Sequence, residues 1–160
     1  MEFLNFDRFR TSVKFNSARY YYGVKEENKL LVPLQQFYND DSIKPLPEGS
    51  KFDFMGKGIY IELKSRTCKK DTYESTCISV GKVEYAKQHC HESVFYFVFN
   101  FTDGMYYWKY NQEQPLTDDN IYNIPHYFIP ITYLTPMNQG TNIFLKVIDS
   151  NDTTTSSKII

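Results

Sequence analysis

The spacing of apolar and polar positions divides the chain into segments of different period. Across residues 25–38, KEENKLLVPLQQFY, the residues Leu30, Leu31, Leu34, Phe37 and Tyr38 recur at steps of three and four, which predicts an amphipathic helix. Glu26 and Glu27 fall in its first turn, where carboxylates suit the helix dipole. Pro33 is expected to kink or split it. Residues 51–55 and 59–65 alternate with period two on either side of Gly56-Lys57-Gly58, the pattern of a β-hairpin. The polar stretch 66–75 reads as a loop, and residues 81–92, with Val83, Tyr85, Ala86 and Cys90 as a partial apolar stripe, read as a second helix. Residues 94–101, VFYFVFNF, are the most apolar run and predict a central strand buried on both faces. Asp103-Gly104 then signals a turn into a further strand over 105–110.

Downstream the pattern weakens. Pro115, Pro125, Pro130 and Pro136 predict a surface path with one edge strand near residues 127–133. Residues 142–148 suggest a last strand, and the Ser/Thr-rich end from residue 150 a mobile tail. The sum is an α/β (α+β) fold: a mixed central sheet flanked by helices. Its expected parts are an N-terminal arm (1–22), a core (23–110), a C-terminal extension packed on that core (111–149) and the tail (150–160). The arm sets Arg8, Arg10, Lys14 and Arg19 among aromatic residues, as a nucleic-acid-contacting segment or as one packed on the domain.

With 160 residues the chain supports one substantial core. The 14 Tyr and 13 Phe, against a single Trp, favour pleated surfaces and hence a sheet-rich fold. No run approaches the roughly 20 apolar residues of a membrane span, and the first residues lack the order of a signal peptide, so an intracellular protein without a membrane partner is expected. Cys68, Cys77 and Cys90 lack CxxC spacing and read as reduced thiols. His89-Cys90-His91 has no second ligand pair at zinc-finger spacing. The net charge of −1 excludes a protein that coats nucleic acid non-specifically. Residues 1–87 nevertheless carry +3 and residues 88–160 carry −4, which places positive potential in the half that holds the candidate chemistry, or simply a mixed solvated face there.

That chemistry lies in residues 51–66. Glu62 and Lys64 are two apart on a strand, so they leave the same face while Ile59, Ile61 and Leu63 leave the other. Asp53, on the partner strand, is placed to approach Glu62 across the turn. Two converging carboxylates suit a hard cation such as Mg²⁺. A lysine beside them can orient or deprotonate water and stabilise charge growing on phosphate.

Asp53 followed by Glu62-Leu63-Lys64 after a short hairpin, then a helix and an apolar strand, resembles the PD-(D/E)XK, or restriction-endonuclease-like, nuclease superfamily. The likeness runs from about residue 23 to 110. Phe52 stands where the motif has proline, a position at which the family commonly departs. The resemblance implies Asp53, Glu62 and Lys64 as catalytic residues, with Glu27 as the added helix glutamate. Mg²⁺ or Mn²⁺ would be held by Asp53, Glu62, the Leu63 carbonyl and Glu27, directly or through water. Tyr60, Arg66, Lys69, Lys70 and Lys82 would grip the backbone of a DNA substrate. The implied activity is endonucleolytic phosphodiester hydrolysis, with a homodimer as one way to cut two strands. The abundance of Tyr, Phe, Asn, Lys and Ile suggests an AT-rich genome, and with it a phage or large-virus origin and residence in the cytoplasm or nucleus of a host. The alternatives are a catalytically inactive module of the same fold that binds nucleic acid or protein, and a viral structural protein, an all-β sandwich favoured if residues 81–92 form a strand.

Overall fold

The computed structural model describes residues 17–137, and within the first helix the side chains from Glu27 onward. The basic-aromatic segment before residue 17, the strand expected at 142–148 and the tail lie outside these residues. Helix α1 spans Ser17–Tyr38, starting eight residues before the expected position and running through Pro33 without a break. The absent proline N–H costs about 3 kcal/mol in a helix interior. Burial of Leu30 and Leu34 against Ile61, Leu63 and Val98 more than offsets it, at roughly 1.5–3 kcal/mol for each enclosed side chain. The helix ends where Asn39 turns to a φ of 50°. There the Asp40 N–H donates to the Gln35 carbonyl at 2.9 Å and the Asn39 N–H to the Gln36 carbonyl at 3.3 Å, the paired bonds of a Schellman cap.

Strands β1 (Lys44–Pro45), β2 (Phe54–Met55), β3 (Ile59–Ser65), β5 (Val94–Phe101), β6 (Gly104–Lys109) and β9 (Thr135–Pro136) form a mixed six-stranded sheet in the order β1-β2-β3-β5-β6-β9. The β3 and β5 pair is parallel, with Glu62 beside Phe97 and Lys64 beside Phe99. Between them run β4 (Ser75–Ser79) and helix α2 (Val80–His89). Helix α1 covers the face of Ile61, Leu63 and Val98. Helix α2 covers the opposite face through Val83 and Ala86, packed on Phe95, Phe97 and Phe99. This is the expected α+β arrangement of a mixed sheet between helices, with β5 inside it and its phenylalanines at 0–4% exposure. The helix over residues 81–92 was the point on which an all-β sandwich depended, and helical structure there removes that reading.

Two local expectations fail. The ladder of the first hairpin is reduced to Phe54 and Met55, because the chain before them turns away into the residue 45–50 loop. The second concerns residues 66–75 and 115–136. Strand β4 begins at Ser75, and β7 (Thr117–Ile121) and β8 (Ile124–Pro130) join it in a second sheet of order β4-β8-β7. Its prolines sit at positions that leave the β4 ladder intact, Pro130 at the strand end and Pro125 on the β7 side. This sheet buries Ile78 and Ile129 in the core and supports α2, which follows directly from β4.

Candidate functional site

The site grows from an interruption in the sheet. Strand β2 pairs with β3 only through Ile61 and Tyr60, so β3 has an open edge beyond that point. Asp53 fills it. Its N–H donates to the Ile61 carbonyl at 3.1 Å, and its Oδ2 accepts the Leu63 N–H at 2.7 Å. A carboxylate therefore stands where a neighbouring strand would supply a carbonyl. The N–H and C=O of one strand residue leave on the same side, so the Leu63 carbonyl also faces this edge.

Strand periodicity sends Tyr60, Glu62 and Lys64 to the face shared with Phe95, Phe97 and Phe99. Glu62 is thereby enclosed among aromatic rings at 0% exposure. A buried carboxylate is costly unless paired, and here two lysines pair with it. Lys64 Nζ lies 2.5 Å from Oε1, while Lys82, from the first turn of α2, donates to Oε2. Each Glu62 oxygen thus faces its own ammonium, Oε1 that of the part-exposed Lys64 and Oε2 that of Lys82. Phe52 locks the adjoining loop in place, with ring centroids 5.2 Å from Phe95 and 5.7 Å from Phe97.

The crowded charges perturb one another. Burial, and then the Glu62 carboxylate, push Asp53 up to about 7, against the pull of Lys64, the Leu63 N–H and Lys82. Burial raises Glu27 as well, with Lys64, Glu62 and Lys82 all close enough to act on it. Burial pulls Lys64 down, but Glu62 and Asp53 together outweigh it and hold the ammonium above its ordinary value. A cluster of titratable groups perturbed by burial and by one another, beside a cleft, is the mark of a candidate functional site.

Access comes through a cleft of about 350 Å³ that has Glu27 and Asn28 of α1 on one side and residues 45–50, Phe52 and Asp53 on the other. Glu27, Asp53, Glu62, Lys64 and Lys82 are thus brought together. The Leu63 backbone joins them at the β3 edge, and Tyr60, Arg66, Lys69 and Lys70 lie outside this cluster of contacts. Tyr60 stacks on Phe95 with centroids 5.3 Å apart. Arg66 donates to the Cys77 carbonyl at 2.6 Å and the Thr76 hydroxyl at 3.2 Å, tying β4 to the end of β3. Lys70 pairs with Asp71 at 2.9 Å and lies over the Tyr106 ring, and Lys69 is exposed beside it.

The donor set suits a hard divalent cation. It offers the Glu62 Oε1, approached by the part-exposed Lys64, the Asp53 carboxylate and the Leu63 carbonyl, all oxygen, with a cleft beside Asp53 for the waters that Mg²⁺ retains. Among the described residues no three His, Cys, Asp or Glu side chains are arranged to hold a metal by themselves. Glu27 would accordingly act through water. Sequence reasoning named Lys82 only as a phosphate contact and missed its bond to Glu62. The signal for it was the charge itself, since a glutamate flanked by apolar strand positions needs more than one partner to be buried.

No family model matches the chain. No curated protein matches it either. Among solved structures it is similar to D212, a nuclease from a fusselovirus, with 17% identity, 78% of this chain and 90% of that chain covered, and a TM-score of 0.47. Likeness at that level assigns no function. No described helix is long and apolar enough to cross a membrane.

Proposed function

We propose that this protein is a metal-dependent nuclease that hydrolyses DNA phosphodiester bonds by the PD-(D/E)XK arrangement. The observation that carries the reading is Asp53 at the open edge of β3, near enough for the Glu62 carboxylate to act on it, with Lys64 on Glu62 and Glu27 on the same cleft as Asp53. Asp53, Glu62 Oε1 and the Leu63 carbonyl would hold Mg²⁺ or Mn²⁺. When bound, the cation supplies Lewis-acid polarisation of a phosphoryl oxygen and lowers the pKa of water.

The chain's own groups do the rest. Lys64, held as an ammonium, orients the attacking water and offsets negative charge building on the phosphoryl oxygens; its raised pKa argues against its serving as the base. Burial raises the Glu27 carboxyl above its ordinary value and so makes it a stronger base, which takes the proton of the water as the new P–O bond forms. The P–O bond to the leaving oxygen breaks as it does, and that oxygen is protonated from solvent. Exposed Lys69, near the C-terminal end of β3, is a candidate for backbone contact. Cutting within a strand rather than from an end, and a dimer that places two sites on a duplex, belong to the same proposal.

A second reading has one observation in its favour. With both Glu62 oxygens facing ammonium groups, the cluster is close to neutral without a metal and would serve as a buried network in a non-catalytic binding module. Labelled linear, nicked and branched DNA incubated with Mg²⁺ or Mn²⁺ separates the two. Metal-dependent products that Asp53→Asn and Lys64→Ala lose support the nuclease, and intact DNA on every substrate with folded wild type supports the module.

A further inference from the structure

We infer that Lys82 is a positioning residue that clamps Glu62 by Oε2, so that Oε1 is the single oxygen presented toward Asp53 and a divalent cation. The inference rests on the metal-site reading above and assigns to Lys82 a part that reading does not contain.

The two lysines at Glu62 are not equivalent. Lys64 comes from the same strand, two residues on, and keeps 35% of its side-chain surface exposed, so it can move toward solvent when a cation arrives. Lys82 is 21% exposed, comes from a different element and donates to Oε2. Its ammonium also lies 5.8 Å from the centre of the Phe52 ring, a second attraction on the same side. Phe52 and Lys82 therefore form one wall behind the carboxylate. The oxygen that Lys82 does not hold is Oε1, where Lys64 approaches from the same strand at 2.5 Å.

A carboxylate on a two-bond stem rotates unless one oxygen is fixed. Groups that hold a metal ligand in orientation matter to the metal nearly as much as the ligand does. The base of α2 is well placed for the task, because β4 and β8 pin it. The Tyr127 hydroxyl of β8 donates to Glu84 Oε1 at 2.7 Å, and Val83 and Ala86 are buried in the core. Lys82 thus transmits the rigidity of the second sheet to one oxygen atom.

Charge and position pull metal affinity in opposite directions here. Removing an ammonium beside a cation site should tighten cation binding by electrostatics alone, whereas loss of an orienting partner loosens it by about 10–100-fold. Mn²⁺ binding to the full chain, followed by electron paramagnetic resonance of the free ion, reads the sign. Lys82→Met should weaken binding at least about tenfold, and Lys82→Arg, which keeps the donors, should recover most of it. Unchanged or tighter binding in Lys82→Met overturns the assignment while leaving the metal site standing. Absence of Mn²⁺ binding to wild type overturns both. A measurement on wild type alone covers the case of a Lys82→Met that does not fold. Acylation of Lys82 by acetic anhydride, followed by mass spectrometry, should stay the same or fall when Mn²⁺ is added, and a rise of about threefold or more, which is well below the tenfold of 1.4 kcal/mol, would show that Lys82 lets go of Glu62 and overturn the role.

Discussion

Asp53 Oδ2 accepts the backbone N–H of Leu63 at 2.7 Å, so a carboxylate occupies the place of a missing strand at the edge of β3. Backbone and chemistry are joined at that contact: the residue that ends one strand pairing is the residue that opens the site.

Stability of the metal-free protein should fall as pH rises from about 4 to about 7. Asp53 titrates near 7 when folded and near 4 when unfolded. The folded state therefore binds the extra proton between those values, and the stabilisation it brings is complete below about 4 and gone above about 7. Glu27, also raised, acts in the same sense. Thermal melts at pH 5 and pH 8 in chelator should differ more for wild type than for Asp53→Asn. Equal differences would contradict the perturbation of Asp53.

Lys64→Ala should lower metal-dependent cleavage by about 10²–10⁴-fold, as expected for loss of a group that stabilises transition-state charge. It should cost only about 1–3 kcal/mol of stability, less than breaking an isolated buried pair, because Lys82 remains on Glu62. Single-turnover cleavage and urea unfolding of the same preparation check both numbers. Proportionate losses in rate and in folded fraction would contradict the catalytic role.

Gly56→Ala should be more damaging than Gly58→Ala. A Cβ at Gly56 would run into Asp40 Oδ2 and lie 2.8 Å from the Ile43 side chain, where Asp40 also accepts the Lys57 N–H at 2.9 Å. Prying this turn from the end of α1 should cost about 1–3 kcal/mol and displace Asp53 with it. Gly58 has a φ of +66° with open space around it, so alanine there pays only backbone strain of about 1–2 kcal/mol. Thermal denaturation of the two variants, with cleavage measured on the folded protein, makes the comparison; equal rates in both would contradict the coupling of the turn to the site.

Arg66 and Lys69 should behave oppositely. Arg66 donates to Cys77 and Thr76, so Arg66→Ala should cost about 1.5–3 kcal/mol, as for hydrogen bonds to a charged group, with little change in the salt dependence of DNA binding. Lys69→Ala should leave stability alone and reduce the slope of log affinity against log salt by about 1. Fluorescence anisotropy at several salt concentrations decides it, and an Arg66→Ala slope reduced like that of Lys69→Ala would contradict the assignment.

Much of this was legible in the sequence because it depended on period. The face shared by Glu62 and Lys64 follows from strand alternation, and the run from Val94 to Phe101, apolar or aromatic at every position but Asn100, left little choice but an interior strand. What escaped depended on partners distant in sequence. Strand β4, STCIS, has only Thr76 and Ile78 buried, too short an alternation to notice, and it exists because β8 pairs with it from more than 40 residues away. The start of α1 was missed because residues 17–24 continue a helix whose apolar period becomes regular only later. Lys82 could be placed at the start of a helix, but its bond to Glu62 needs β4 to aim that helix.

The most direct measurement is the rate at which wild type and the near-isosteric Glu62→Gln cut a labelled DNA substrate across a Mg²⁺ titration, with circular dichroism matching their folded fractions. The nuclease account expects wild-type cleavage that rises and saturates with Mg²⁺ and falls by at least about a hundredfold in Glu62→Gln. Cleavage by Glu62→Gln at the wild-type rate, or the absence of cleavage by wild type at every Mg²⁺ concentration, would contradict it.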